Sequence, residues 1–286
     1  MTAFFAHVLP EYLDQAEDIL ADIMRPALRE EDFQQERGVI LEEIAMYDDH
    51  PFFVLYEEAT ERYFGDHPLR HRVLGTRETI SALTRDQMQA YFDHRYSPDN
   101  IVVTYAGNVD FDKQVDSLAK RCAAWKSTGV ERAYPAFTAR TDDFTKSLGT
   151  ISQQYTLLMA PAPAAQDDDR YAASMLAQIL GDAEGSRFYW ALIETGLAEE
   201  AAAQYDPKDG LGEYLAFAVC APGNAEQVET VMRKEIDGLV DSLTEDDLVR
   251  NRAKIATAVT LAGERPAGRM KRLGRIWTYA KEYRPL

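Results

Sequence analysis

The sequence predicts an α+β fold made of two related units in tandem, in which an antiparallel or mixed sheet is flanked by helices. Short β-branched or aromatic runs alternate with longer segments whose apolar residues recur every three or four positions. The order strand, helix, further helices and strand occurs in each half of the chain. With 286 residues, the chain is long enough for two domains.

The first half is predicted to open on a strand followed by helices. The apolar run TAFFAHVLP predicts the strand, and EYLDQAEDILADIM then changes to helical spacing. A second helix is predicted from Arg29 to Met46, and a third from Phe52 to Phe64.

Two further signals complete this half. Thr84, followed three residues later by Gln87, forms a capping box that starts a helix through Phe92. The β-branched run NIVVTYAGNVD predicts a closing strand.

The second half repeats this order. Strands are predicted for GTISQQYTLLMAP and YLAFAVCAP. Helices are predicted for three segments: DDRYAASMLAQILG with Gly181 as its C-cap, SRFYWALIETG, and AEQVETVMRKEIDGLVDSL.

The last part of the chain is predicted to be helical. Thr244 is expected to cap a helix, and helical structure then continues to Leu286 with a break at Arg265 and Pro266. Between the halves, residues 124–141 lose periodicity and collect Gly, Pro, Ser and Thr, which places a linker at 129–142. We therefore expect domains at 1–128 and 143–286 with a linker between them.

Charge and composition limit the classes of partner that the protein can bind. There are 48 Asp and Glu against 31 Lys and Arg, for a formal net charge of -17. Nucleic acid and anionic membranes are disfavoured as partners because both require concentrated positive charge. A basic peptide or another protein is compatible with this charge, and so is a solvated surface with no partner. No apolar run approaches the roughly 18 residues of a membrane span.

Two carboxylates stand out in the acidic stretch ERGVILEEIAMYDDHP. On a helix, Glu36 and Glu43 fall within about 20° of each other and about 10 Å apart along the axis, whereas Glu42 points away. One of them could bind a metal ion while the other assists. From spacing alone, chance placement in an acidic chain is the commoner explanation, and a zinc site needs about three protein ligands.

A series of ordered motifs resembles the pitrilysin and insulinase family of zinc metallopeptidases, and most closely its mitochondrial processing peptidase-like branch. The motifs are ERGVILEEI, DDHP, GDHPLRHRVLGTRETISALTRDQMQAYFDHRYSPDNIVVTYAGNVD and QQYTLLMAPAPAAQDDDRYAASMLAQILGDAEGSRFYWALIETGLAEEA. The resemblance implies tandem peptidase-like domains, a zinc ion, Glu43 as its carboxylate ligand and Glu36 as the supporting catalytic carboxylate.

The chain departs from the family pattern at the zinc motif. None of its five histidines begins the inverted motif H-x-x-E-H. His67 and His71 have a helical ligand spacing, but Pro68 between them favours a turn. The resemblance implies that the chain is truncated at both ends, so that alone it would be inactive and would not retain zinc.

A second departure concerns substrate binding. Family members or their partner subunits often carry an Arg and a Tyr seven residues apart, and the matching positions here are Leu192 and Glu199. Arg187, Tyr189 and Tyr205 are nearby candidates for the same task.

Two functions are weighed on these grounds: a zinc endopeptidase that cuts peptides in a two-domain chamber, and a non-catalytic partner subunit of a processing-peptidase-like complex. A homodimer or heterodimer with a related subunit fits either function, and a bacterial-type cytoplasm or periplasm is compatible with both. An unrelated α+β binding protein would require the ordered motifs to be coincidental.

Overall fold

The computed structural model describes residues 1–133, 135–149 and 151–284. Tyr134 of the predicted linker, Thr150 of a predicted strand and residues 285–286 of the predicted final helix lie outside the described residues. In the part described, no helix is both long and apolar enough to span a membrane.

Ten α-helices and three strands are present among these residues. The helices are α1 (Leu13–Ile23), α2 (Glu30–Asp48), α3 (Pro51–Phe64), α4 (Arg77–Ala82), α5 (Arg85–Arg95), α6 (Phe111–Arg121), α7 (Arg170–Gly181), α8 (Ala225–Asp237), α9 (Glu245–Glu264) and α10 (Pro266–Ala280). The strands are β1 (Gln154–Ala162), β2 (Glu200–Pro207) and β3 (Gly212–Cys220). The α+β fold class is confirmed.

Contacts divide the chain into two compact units. Unit 1 comprises Met1–Leu41, Arg77–Ala133 and Val259–Leu286, and unit 2 comprises Glu42–Thr76 and Tyr134–Ala258. Two of the divisions fall inside α2 and α9, and a third, between residues 133 and 134, falls inside the predicted linker, while the domains at 1–128 and 143–286 stay a prediction. Composition marks irregular segments, but it does not tell which helices pack with which sheet.

The sheet of unit 2 is antiparallel, with β3 between β1 and β2. One face of β3 presents Ala216, Ala218 and Cys220 to a core that includes residues of α7 and α8. The other face packs against α3, where Phe217 meets Phe52 with ring centroids 5.3 Å apart. Both faces of β3 are covered, and residues 214–220 of this strand form the apolar run that was predicted to be a buried strand.

One charged residue lies in this sandwich. Glu213 of β3 is only 2% exposed, and its Oε1 is 3.0 Å from Nζ of Lys208. Burial raises the pKa of Glu213 even though Lys208 opposes the shift. Burial and the Glu213 charge together raise the pKa of Tyr63 on α3 to about 12.

Unit 1 is organised around a buried carboxylate on α1. Glu17, 4% exposed, accepts hydrogen bonds from the Tyr105 hydroxyl at 2.7 Å and the Ser117 hydroxyl at 2.6 Å. Burial and this hydrogen bond raise the pKa of Tyr105. The bond from Ser117 ties α1 to α6, and the bond from Tyr105 ties α1 to the extended residues that precede α6.

Several helix boundaries follow the predicted signals. The capping box of Thr84 and Gln87 is present at the start of α5. Thr244 caps α9 by accepting a bond from the Asp247 amide at 3.2 Å. Pro266 begins α10, whose predicted extension to the end of the chain is wrong because Lys281 adopts a left-handed conformation.

Two predicted strands are wrong. Among the described residues, neither 2–10 nor 100–110 belongs to the sheet, and residues 10–12 form a turn of 3-10 helix instead. A strand exists only when a partner pairs with it, and a β-branched composition does not supply that partner.

Gly181 has a different role from the predicted C-cap. It is the last residue of α7, Asp182 is the cap, and a Cβ at Gly181 would lie 2.0 Å from the Ala203 backbone nitrogen on β2. Glycine is required there because the helix end touches the strand backbone.

Gly181→Ala is therefore expected to lower the free energy of unfolding by about 1–3 kcal/mol, because the added methyl group must push β2 away. Urea unfolding followed by circular dichroism measures this change. Gly223→Ala is the matched control, since no atom lies within 4 Å of a Cβ there. Equal effects of the two substitutions would contradict the close approach.

A buried ion-pair cluster joins α9 to the segment after α7. The Asp247 side chain is 3% exposed and receives Arg187 Nη2 at 2.7 Å and Arg250 Nη2 at 2.8 Å. The Thr244 hydroxyl donates to the same carboxylate at 2.8 Å. Burial alone would raise the pKa of Asp247, but the hydrogen bonds from Arg187 and Thr244 outweigh it and lower the pKa to about 2.

Because the folded pKa is depressed, Asp247 stabilises the fold above its ordinary pKa of 3.8, and this contribution is lost as the pH falls from about 5 to about 1, through the folded pKa of about 2. Asp247→Asn should remove about 2 kcal/mol of stability at pH 7 and flatten that part of the stability curve. Denaturant unfolding at a series of pH values tests this. Asp246→Asn is the control because its side chain is 77% exposed.

Candidate functional site

The candidate site lies on α2, a helix of 19 residues. Its start is supported by Arg29, whose Nε donates to Asp32 at 2.7 Å. Phe33 and Ile44, 8% and 3% exposed, mark the buried face of the helix. Eleven residues separate them, close to three helical turns, so the helix buries one stripe.

Ion pairs fix the last turn of α2. Arg72 donates to Asp48 at 3.0 Å and lies 2.9 Å from Glu57 on α3. Burial raises the pKa of Glu57 despite the neighbouring Arg72. One guanidinium therefore connects the last turn of α2 to the helix that packs on the sheet.

Glu36 and Glu43 are both exposed on α2. Val39 and Met46, 43% and 60% exposed, lie on the same flank, because these four residues follow the spacing i, i+3, i+7 and i+10. Glu42 points to a different side. Within the described residues, neither the Glu36 side chain nor the Glu43 side chain takes part in a hydrogen bond or ion pair. The flank thus alternates free carboxylates with uncovered apolar side chains.

The described residues do not form a complete zinc site. Within them, no group of three or more His, Cys, Asp and Glu is placed to hold a metal ion. A turn of 3-10 helix, Pro68–Arg70, separates His67 from His71, and His67 Nδ1 accepts from the Leu69 amide at 3.2 Å. The carboxylates of α2 fit zinc chemistically but supply too few donors for it.

The two positions expected to carry Arg and Tyr have structural contacts. Leu192 is fully buried in the core of unit 2, within a π-helical turn at Tyr189–Ile193. Glu199 is exposed just before β2 and accepts a hydrogen bond from Gln153 Nε2 at 2.6 Å. Leu192 therefore has neither the exposure nor the chemistry to bind a peptide.

The three alternative candidates are also engaged. Arg187 belongs to the Asp247 cluster and also donates to the Ser242 carbonyl at 2.9 Å. The Tyr189 hydroxyl is 3.2 Å from Glu194, and the Tyr205 hydroxyl donates to the Pro163 carbonyl at 2.6 Å. These contacts account for the positions of the three side chains without a bound substrate. The sequence offered no sign of the Arg187 pair because its two members are 60 residues apart.

Unit 2 also has a cleft of about 460 Å³ with a charged lining. Its cations lie beside carboxylates: Arg62 is 2.7 Å from Glu58, and Arg70 is 2.5 Å from Glu61. The remaining lining residues are Gly65, Arg72, Arg140 and Lys146. Because carboxylates neutralise these cations, the cleft has little free charge to offer an anion.

Two family profiles match the chain. The profile "Insulinase (Peptidase family M16)" matches residues 1–77, and the profile "Peptidase M16 inactive domain" matches residues 82–255, more than half of the chain. The boundary between them, at residues 78–81, lies in the first half of the motif-rich segment 65–110 that follows α3.

Proteins named uncharacterized zinc proteases are similar over nearly the whole chain. One from Mycobacterium leprae (strain TN) is 32% identical over 297 residues, covering 99% of this chain and 65% of the relative. One from Streptomyces coelicolor is 31% identical over 284 residues, covering 96% of this chain and 62% of the relative. The chain thus spans less than two thirds of the length of these relatives.

Solved structures show the same fold at low identity. A protease from Helicobacter pylori superposes with a TM-score of 0.87 at 19% identity, over 94% of this chain and 68% of that one. A chain of complex III2 from Candida albicans, with Inz-5 bound, gives a TM-score of 0.82 at 15% identity, over 97% and 69%. Together with the profile matches, these likenesses lead to one conclusion: the chain belongs to the insulinase family of peptidases, peptidase family M16.

Proposed function

We propose that the complete protein is a zinc-dependent metallopeptidase that hydrolyses peptides, with Glu43 as a zinc ligand and Glu36 as the carboxylate that supports it. The observation that carries the proposal is the exposed flank of α2, on which two carboxylates lie free of any partner in the described residues. The names of the relatives, which refer to zinc proteases, support the choice of metal.

The acids near the two ends of α2 have side-chain partners, whereas Glu36, Glu42 and Glu43 have none in the described residues, and of these three only Glu36 and Glu43 share one flank. Glu30 accepts from Gln34 at 2.5 Å, Asp32 from Arg29 and Asp48 from Arg72. A carboxylate without an ion-pair partner has both of its oxygens available as metal ligands. Val39 and Met46 beside them would be covered by whatever segment completes the site.

The remaining ligands would come from outside the described residues, since these hold no three-donor cluster. We place them in an inverted H-x-x-E-H segment, and we expect peptides to be cut in a chamber formed by two peptidase-like domains. The chain by itself is then a fragment without activity. When bound, zinc would supply Lewis acidity, and the role of this chain would be to hold Glu43 on a rigid helix.

A second candidate is a non-catalytic subunit that pairs with a related, active chain. The burial of Leu192 favours it, because the position that often carries an arginine is part of the core here. A homodimer or heterodimer would be compatible with either candidate, and the likeness to a chain of complex III2 shows that this fold occurs within an assembly.

The proposed zinc ligand is tested by the zinc affinity of the complete protein purified from its native source. Glu43→Gln should reduce zinc affinity by at least about 100-fold, because one of about three ligands is lost, and Glu36→Gln by about 10-fold. Zinc per chain, measured by mass spectrometry of metals, gives the readout. Glu42→Gln is the matched control, since this glutamate lies next to Glu43 but points away from it.

Intact mass of the same native protein separates the two candidates. A mass above 32.3 kDa, with added sequence containing H-x-x-E-H, together with zinc loss only in Glu43→Gln, is the expected result for the peptidase. Full zinc and activity in Glu43→Gln would refute the assignment. A protein of 32.3 kDa that co-purifies with a related zinc-binding chain would favour the second candidate.

A further inference from the structure

The last helix has an unusual charge for this protein. Helix α10 contains four basic residues and no acidic residue, and Arg265 and Lys281 lie directly before and after it. The whole chain has 48 acidic and 31 basic residues, so a stretch of this kind is unexpected. A helix that carries basic residues and no acidic residue is unusual in a protein with this net charge.

The charge is divided unequally between the two units. Unit 2 carries 29 Asp and Glu against 13 Lys and Arg, a net charge of -16, while unit 1 carries 19 against 18, a net charge of -1. The basic helix therefore belongs to a unit that is almost neutral, and the acidic character of the protein lies in the other unit. An anionic group approaching α10 meets little local repulsion.

Helix α10 packs within unit 1 through one side and leaves most of its basic side chains exposed. Thr104 donates to the Met270 carbonyl at 3.3 Å and touches Gly274, and Arg132 donates to the Thr278 carbonyl at 2.7 Å. These contacts define the side of the helix that packs within unit 1. At 100° per residue, the basic residues of α10 occupy an arc of about 160° on the other side.

Four cations of this face are exposed: Arg265, Arg269, Lys271 and Arg275. Their contacts are to a carbonyl or to aromatic rings. Arg269 donates to the Gly263 carbonyl, Lys271 lies 4.4 Å from the Phe5 ring, and Arg275 lies 6.0 Å from the Tyr279 ring. None of the four has a carboxylate within ion-pair distance in the described residues. We call these four residues the basic face.

We propose that the basic face of α10 binds an acidic segment of a polypeptide. The helix is about 22 Å long, so the face spans the length of a short segment with four or five carboxylates. Guanidinium groups suit this partner because they bind carboxylates through two parallel hydrogen bonds.

Two other anionic partners fit less well. A membrane-binding helix inserts a broad apolar face, whereas the exposed side chains of α10 include three cations and one large apolar residue, Trp277, which is 45% exposed. Nucleic acid presents continuous negative charge over a long surface, which a chain with a net charge of -17 repels outside this face. A short acidic segment needs only the face itself.

Fluorescence anisotropy with the 286-residue chain tests the proposal. The probe is a labelled peptide of about 15 residues, the length of α10, rich in Asp and Glu, and the control peptide has Asn and Gln in their place. The acidic peptide should bind and the control peptide should not. Lys271→Gln with Arg275→Gln should weaken binding about tenfold, and added salt should weaken it further.

Lys113→Gln with Lys120→Gln is the matched control variant. It removes the same charge from exposed lysines of α6 in the same unit, and binding should be unchanged. Circular dichroism spectra check that both variants fold. The assay needs neither zinc nor peptidase activity, so its result is independent of the function proposed above.

Four outcomes would overturn the proposal. The first is no binding of the acidic peptide, and the second is an equal loss of binding in the two double variants. The third is stronger binding to phosphatidylserine vesicles or to a single-stranded oligonucleotide than to the peptide. The fourth is self-association of the chain in sedimentation that is lost in the Lys271 and Arg275 variant, which would identify a second copy as the occupant.

Discussion

Unit 2 depends on the burial of strand β3 on both of its edges and both of its faces. Pairing with β1 and β2 satisfies its backbone, and the helices on either side remove its side chains from water. Small residues allow these layers to approach closely, as the contact between Gly181 and the Ala203 backbone shows. Because β1 and β2 both pair with β3, while α3 lies on β1 and α7 on β2, strand β3 holds together the sheet on which these helices pack.

The candidate site inherits its rigidity from that arrangement. Helix α3 packs on the sheet, and Arg72 links α3 to the last turn of α2 through Glu57 and Asp48. Glu43 lies little more than one turn before Asp48 on the same helix. A carboxylate that is free of partners and lies on a supported helix is suited to ligate a metal, because little backbone freedom remains to be lost.

Charge in this protein has two distinct uses. In unit 2, the buried carboxylates are paired with basic side chains, Asp247 with Arg187 and Glu213 with Lys208. On the exposed flank of α2 and on the basic face of α10, side chains of one sign lie without a counter-charge in the described residues. Pairing of buried charges is required for folding. Exposed charges without partners are not constrained in this way and can serve binding.

Local signals predicted a large part of the fold. Thr84, Thr244 and Pro266 each act through atoms within a few residues, so their positions in the sequence were enough to locate helix starts. The strands show the limit of such signals. Strands β1 and β3 were predicted and exist, whereas the β-branched residues at 100–110 are unpaired in the described part of the chain.

The sequence by itself determined the spacing of Glu36 and Glu43, the absence of an H-x-x-E-H motif, the net charge and the motifs that resemble the insulinase family. Only the tertiary structure decided that Leu192 is core, that Arg187 serves Asp247, that Gly181 is a packing contact and that the cations of α10 lie exposed. The physical reason is distance. Spacing along one helix is a local property of the backbone, whereas burial and ion pairing depend on residues far apart in the chain that folding brings together.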